Sequence, residues 1–147
     1  CLWNFGDNGT SQVCDDPSHT YSSTGTFTTT LTLDGPGGND TMIKTDHITI
    51  YEPPVADFDA SPGLGAPPLT VEFTNLSTGD FDQCLWDFGD NEVAVTCDNP
   101  KHEYKNEGHY TVGLTVVGLG GESTKTVAEC VNVTDYRVFL PGVLRKD

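Results

Sequence analysis

The chain has 147 residues, room for one large or two small domains, and carries 22 acidic against 7 basic side chains for a net charge of −15. So acidic a surface repels phosphate backbones, which excludes nucleic acid as a partner, and no apolar run is long enough for a membrane-spanning helix. Gly and Pro are plentiful, Thr is heavily used and long helix-forming stretches are missing, so the composition favours β structure with many turns.

The first residues, Cys1-Leu2-Trp3-Asn4-Phe5-Gly6-Asp7-Asn8 running on to Cys14, read as a hairpin. Cys1, Trp3 and Phe5 alternate with Leu2 and Asn4 at the period of a half-buried strand, and Gly6-Asp7-Asn8 supplies turn residues. A return strand pairing symmetrically about that turn sets Cys14 opposite Cys1, close enough for a cross-strand disulfide. Closing a loop of this size contributes roughly 3 kcal/mol in the chain-entropy model. Two apolar stripes follow, Phe27, Leu31 and Leu33, then Ile48 and Ile50, with Thr28, Thr30 and Thr32 facing outward.

Pro53-Pro54 marks a stiff junction. Beyond it Ala56, Phe58 and Ala60 alternate inward as a strand that Pro62 stops. After a Gly/Pro loop over 61–68, Leu69, Val71 and Phe73 face one way while Thr70, Glu72 and Thr74 face the other. Cys84-Leu85-Trp86-Asp87-Phe88-Gly89-Asp90-Asn91 then repeats the opening hairpin and runs on to Cys97, the predicted disulfide partner of Cys84. A loop through Pro100, His102 and Tyr104 leads to the cleanest inward stripe, Tyr110, Val112, Leu114 and Val116. Residues 118–121 turn into a last strand ending on Val131 and Val133. Short alternating strands with no helix-period segment indicate a two-sheet antiparallel sandwich.

Displaced by 83 residues, 1–50 align with 84–133 without a gap, and 20 of the 50 pairs are identical. The chain is therefore a duplication, with domains at 1–52 and 53–135 and a tail at 136–147. Residues 54–83 have no counterpart ahead of Cys1, so the first domain is expected to lack its first strands. An apolar sheet face and an unpaired edge would then need a cover from outside the sequence. With neither an initiator Met nor a signal peptide, the sequence reads as a mature or excised piece, and its paired cysteines suit an oxidising, extracellular setting.

Trp86-Asp87-Phe88-Gly89-Asp90, followed by Pro100-Lys101-His102-Glu103-Tyr104 and Gly108-His109-Tyr110-Thr111-Val112, strongly resembles the PKD (polycystic kidney disease) domain family. The stretch Pro54-Val55-Ala56-Asp57-Phe58-Asp59-Ala60-Ser61-Pro62 resembles that family's opening strand. Trp3-Asn4-Phe5-Gly6-Asp7, Pro17-Ser18-His19-Thr20-Tyr21 and Gly25-Thr26-Phe27-Thr28 carry the same motifs in the first copy. Departures are Asn4 where the family prefers Asp, the added cysteine pairs and the tail. The resemblance implies two tandem all-β, immunoglobulin-like sandwiches of a secreted or surface protein, the first incomplete, serving as spacer, adhesion or substrate-contact modules without catalysis of their own.

Candidate chemistry is sparse. Asp57 with Asp59, and Asp87 with Asp90, read either as Ca²⁺ ligands or as carboxylates bonded to turn amides and solvent; no EF-hand spacing accompanies them. His19 and His102 recur in a Pro-x-His-x-Tyr frame that suits a structural hydrogen bond more than a metal. No nucleophile elbow and no zinc-type ligand spacing occurs, so neither enzyme activity nor a cofactor is expected. Cys130 is the odd cysteine; with Val131 and Val133 inward, it and Asn132 should point outward, as an intermolecular bridge or a plain exposed thiol. Asn8, Asn39, Asn75 and Asn132 open glycosylation sequons, Asn39 and Asn132 being the favoured acceptors.

The tail is apolar and basic: Tyr136, Val138, Phe139, Leu140, Val143 and Leu144 stand among Arg137, Arg145 and Lys146. Three basic residues against Asp147 give it a net +2, leaving −17 on residues 1–135. It reads as a disordered end or sorting signal, or as a donor strand completing the first domain of another copy. The sequence thus points to a non-catalytic extracellular structural or adhesive protein, the subunit of a homopolymeric surface filament joined head to tail, with a surface glycan or protein as a possible ligand. The alternative is an accessory substrate-binding region of a larger secreted hydrolase.

Overall fold

The computed structural model describes residues 1–135, in two units: Cys1–Glu52, and a second from Pro53 onward. The first unit is one antiparallel sheet. Its strands β1 (Leu2–Asn4), β2 (Thr10–Ser11), β3 (Gly25–Gly35) and β4 (Gly38–Ile50) lie in the order β2-β1-β3-β4. Trp3 pairs with Ser11 and Asn4 with Thr10, and a Cys1–Cys14 disulfide with Cα atoms 5.7 Å apart closes this hairpin. β3 and β4 pair from the turn at Gly35/Gly38 out to Gly25/Ile50, interrupted by a bulge opposite Phe27 and Thr29. Asp46 inside that bulge takes a φ of 49°. The outward threonines are half-buried, and two of them bridge: Thr28 Oγ1 accepts from the Asp46 amide at 3.1 Å, and Thr41 donates to Thr32 at 3.3 Å.

The second unit has two sheets. Its strands are β5 (Phe58–Ser61), β6 (Leu64–Gly65), β7 (Leu69–Asn75), β8 (Gln83–Asp87), β9 (Val93–Ala94), β10 (Lys101–Tyr104), β11 (Gly108–Gly118) and β12 (Gly121–Val133). One sheet runs β10-β7-β5 and the other β6-β12-β11-β8-β9, which is an all-β, immunoglobulin-like sandwich. The inward residues of both sheets build one core: Phe58, Val71 and Phe73 from the first meet Trp86, Val112, Leu114, Val116 and Val131 from the second, with Tyr104 and Phe88 beside them. Phe58, Phe73, Trp86 and Phe88 pack with ring centroids 5.2–6.5 Å apart. Cys84 and Cys97 form the second disulfide, with Cα atoms 5.0 Å apart.

Two expected loops contain strands. Residues 101–104 form β10, antiparallel to β7, because His102 and Tyr104 face inward while Lys101 and Glu103 face out; an inward His conceals the period-two signal. Leu64–Gly65 within the Gly/Pro loop makes a two-residue strand parallel to Asn132–Val133, the one parallel pair in the described sheets. Cys130 departs from its expected outward position. The β11–β12 register shifts between Tyr110 and Val112, Glu129 takes a φ of 50°, and the broken alternation leaves Cys130 half-buried against the core.

Candidate functional site

Each unit carries the same turn, opened by Asp87 in the second and by Asn4 in the first, where Asn4 Oδ1 accepts the Gly6 amide at 2.9 Å. In the second, Asp87 Oδ1 accepts the Gly89 amide at 2.9 Å and Asp90 Oδ1 the Glu92 amide at 3.1 Å. The other Asp90 oxygen meets His102 Nε2 at 2.8 Å. The His102 ring stacks on Phe88 with centroids 4.2 Å apart and stands edge-on to Tyr104, whose hydroxyl donates to the Phe88 carbonyl at 3.0 Å. Burial, then the Asp90 charge, pushes the Tyr104 phenol far up, so it stays a donor at any working pH. In the first unit Asp7 bonds the Gly9 amide at 2.9 Å and His19 at 2.7 Å, His19 stacks on Phe5 at 4.2 Å, and Tyr21 donates to the Phe5 carbonyl at 3.1 Å. The His19 hydrogen bond holds the Asp7 carboxyl below its usual range.

The other carboxylate pair is also occupied. Asp57 Oδ1 accepts from the Phe58 amide at 3.0 Å and from Lys125 Nζ at 2.9 Å, and that lysine lowers its pKa; Asp59 accepts the Ala60 amide at 2.8 Å. Among the described residues no group of three or more His, Cys, Asp or Glu side chains is placed to hold a metal ion. The Cys130 thiol is pushed up by burial, then by Asp59, which keeps it a poor nucleophile.

The sequons fall into two pairs. Asn8 and Asn39 are exposed. The Asn75 amide instead turns to the disulfide, donating to Cys97 O at 3.2 Å, while its oxygen accepts the Ser77 amide at 3.0 Å. Asn132 points outward between the buried Val131 and Val133 but is half-buried: its amide donates to Glu129 O at 3.3 Å and its oxygen contacts Nδ1 of His109, its cross-strand partner.

What distinguishes the units is the apolar face of the first. Trp3, Phe5, His19, Tyr21, Leu31 and Ile48 line an open cleft of about 330 Å³. Their counterparts at 83 residues' distance, Trp86, Phe88, His102, Tyr104, Leu114 and Val131, are all at most 8% exposed, enclosed between the two sheets to which β5 and β7 contribute. Trp86 Nε1 donates to Thr96 O at 3.1 Å, whereas Trp3 Nε1 is buried with no acceptor among the described residues. On the same sheet face Leu33 and Met42 are exposed, and Ile43 is exposed on the opposite one. The assembly residues proposed in the tail, Tyr136, Val138, Phe139, Leu140, Val143 and Leu144, lie outside the described residues.

A family model described as "PKD domain" matches residues 1–50 and again 51–133. Among solved structures, one from work on the promiscuous specificity of carbohydrate-binding modules of the β-sandwich superfamily is 29% identical, with a TM-score of 0.52. The match takes in 57% of this chain and 35% of that one, so the chain spans about a third of that protein's length. The PKD1 domain of the Vibrio cholerae metalloprotease PrtV is 28% identical over 56% of this chain and 99% of its own, with a TM-score of 0.48. A solution structure from Methanosarcina mazei is 22% identical over 88% of this chain and 82% of its own, with a TM-score of 0.47.

Proposed function

The chain belongs to the PKD domain family, and from that premise we propose that it is a non-catalytic extracellular module with a structural or adhesive role, the repeating subunit of a surface filament. Neighbouring subunits join head to tail, the basic apolar tail of one adding as a strand to the incomplete sheet of the next. The observation that carries this reading is the uncovered face of the first unit beside its fully covered twin in the second. Apolar surface of that kind is stabilised only when something closes it. Charge supports the pairing: the tail is +2, and residues 1–52 carry one lysine against seven carboxylates, a net of −6. Two disulfides suit an oxidising compartment.

Sedimentation velocity and negative-stain imaging test it. The 147-residue chain is expected to form concentration-dependent linear oligomers, and the chain ending at residue 135 to remain monomeric; equal behaviour of the two rejects the filament. A second reading is favoured by the 29% identity to the carbohydrate-binding-module structure: an accessory glycan-contacting region of a larger secreted hydrolase. Saturable binding of the 135-residue chain to polysaccharides would support that reading instead.

A further inference from the structure

Resting on this head-to-tail reading, we infer that the acceptor is one particular edge of the first unit, residues 18–21, and that it takes residues 136–140 of another copy as an antiparallel strand in a fixed register. Ser18, His19, Thr20 and Tyr21 correspond to β10, and they keep its alternation: Ser18 and Thr20 are exposed, His19 and Tyr21 half-buried. Yet they belong to no strand, and among the described residues their backbone pairs with nothing. The reason is visible in the second unit, where β10 is a strand because β7 lies against it: His102 pairs with Val71, Tyr104 with Leu69, and the Phe73 amide donates to Pro100 O at 2.9 Å. Among the described residues no strand stands where β7 stands in the second unit, pairing with this edge and laying alternate side chains over the Trp, the Phe and the His–Tyr pair.

The tail has the pattern of β7. In β7 the inward residues are Leu69, Val71 and Phe73; the tail offers Tyr136, Val138 and Leu140 at the same spacing. Setting Val138 opposite His19 and Tyr136 opposite Tyr21 brings Leu140 to the place of Phe73, its amide toward the Pro17 carbonyl. Pro141 then falls at the counterpart of Thr74, which in β7 pairs across to β5 and not to β10, so its missing N–H removes no bond to the acceptor edge. Arg137 points outward in this register, on an edge that follows Asp15 and Asp16.

The register makes a covalent test available. Thr20 and Arg137 become a non-hydrogen-bonded antiparallel pair, the kind whose Cα atoms approach to about 4.5 Å and accept a disulfide. In the full chain with Cys130→Ser, Thr20→Cys combined with Arg137→Cys is expected to oxidise into a covalent ladder, and Thr20→Cys combined with Val138→Cys, one residue out of register, is not. Amide hydrogen exchange at His19 and Tyr21 should slow as the native chain is concentrated, and the change should vanish in Val138→Asp/Leu140→Asp, which weakens association by at least about tenfold per residue. If wild type associates through its tail but no ladder forms, or exchange slows along β4 instead, the edge assignment is overturned while the filament stands. No association at all overturns both. Protection of residues 18–21 in the dilute monomer also overturns the inference, since the edge would already be filled from within its own chain.

Discussion

Single side chains decide how tightly each turn is held, and the duplicated tyrosine gives an internal comparison. Tyr104 is fully buried and its hydroxyl serves the Phe88 carbonyl, so Tyr104→Phe leaves that acceptor without water or partner and should cost about 1–3 kcal/mol. Tyr21 makes the same bond to Phe5 but is only half-buried, so Tyr21→Phe lets water replace the hydroxyl and should cost less, about 1 kcal/mol or below. Urea titrations of both variants measure the difference. The Asp7–His19 pair adds a pH dependence. Because the folded pKa of Asp7 is depressed, its contribution is complete above its ordinary value of 3.8 and is lost as pH falls through the lower, folded value. Melting of the first unit should therefore drop on acidification below that range, and the drop should flatten in Asp7→Asn.

Strands were legible in the sequence wherever inward positions were aliphatic or aromatic. β7, β8 and β11 read directly from Leu69/Val71/Phe73, Cys84/Trp86 and Val112/Leu114/Val116. β10 did not, because its inward pair is His102 and Tyr104, residues whose burial depends on Asp90 and the Phe88 carbonyl supplied by a hairpin twelve or more positions away. β6 is two residues long and exists only because the end of β12 passes alongside. The bulge in β12 was hidden for a different reason: nothing in Ala128-Glu129-Cys130 announces a φ of 50°, although the same deviation at Asp46 in β4 shows that the duplication inherited it. The hairpin turn carries its own prediction. Gly89 has a φ of 81°, and a Cβ there would strike the Thr111 carbonyl; Gly6, at 90°, would bring a Cβ to 2.6 Å from the Thr28 carbonyl. Gly89→Ala should therefore destabilise the second unit by about 2 kcal/mol or more, read as a lower denaturation midpoint at unchanged slope.

At the scale of the chain, the same motif set appears twice at different degrees of closure, so one molecule contains its own control. In the second unit Val71, Phe73, Trp86, Tyr104, Val112, Leu114, Val116 and Val131 are all fully buried; in the first only Phe5 among the hydrophobic residues is buried. The hydrophobic driving force scales with apolar area removed from water, and the disulfide and turn hydrogen bonds of the two hairpins are matched, the Trp86 indole bond to Thr96 being the one that Trp3 does not reproduce among the described residues. Stability should therefore differ between units mainly through the missing cover. Labelling the full chain with 5-fluorotryptophan gives two ¹⁹F resonances, one from Trp3 and one from Trp86, without truncating either core. In dilute solution the Trp3 signal should disappear at a distinctly lower urea concentration than the Trp86 signal, and the gap should narrow as association covers the cleft. Coincident transitions at all concentrations would mean that the first unit is already closed, and that its open face is not what sets its stability.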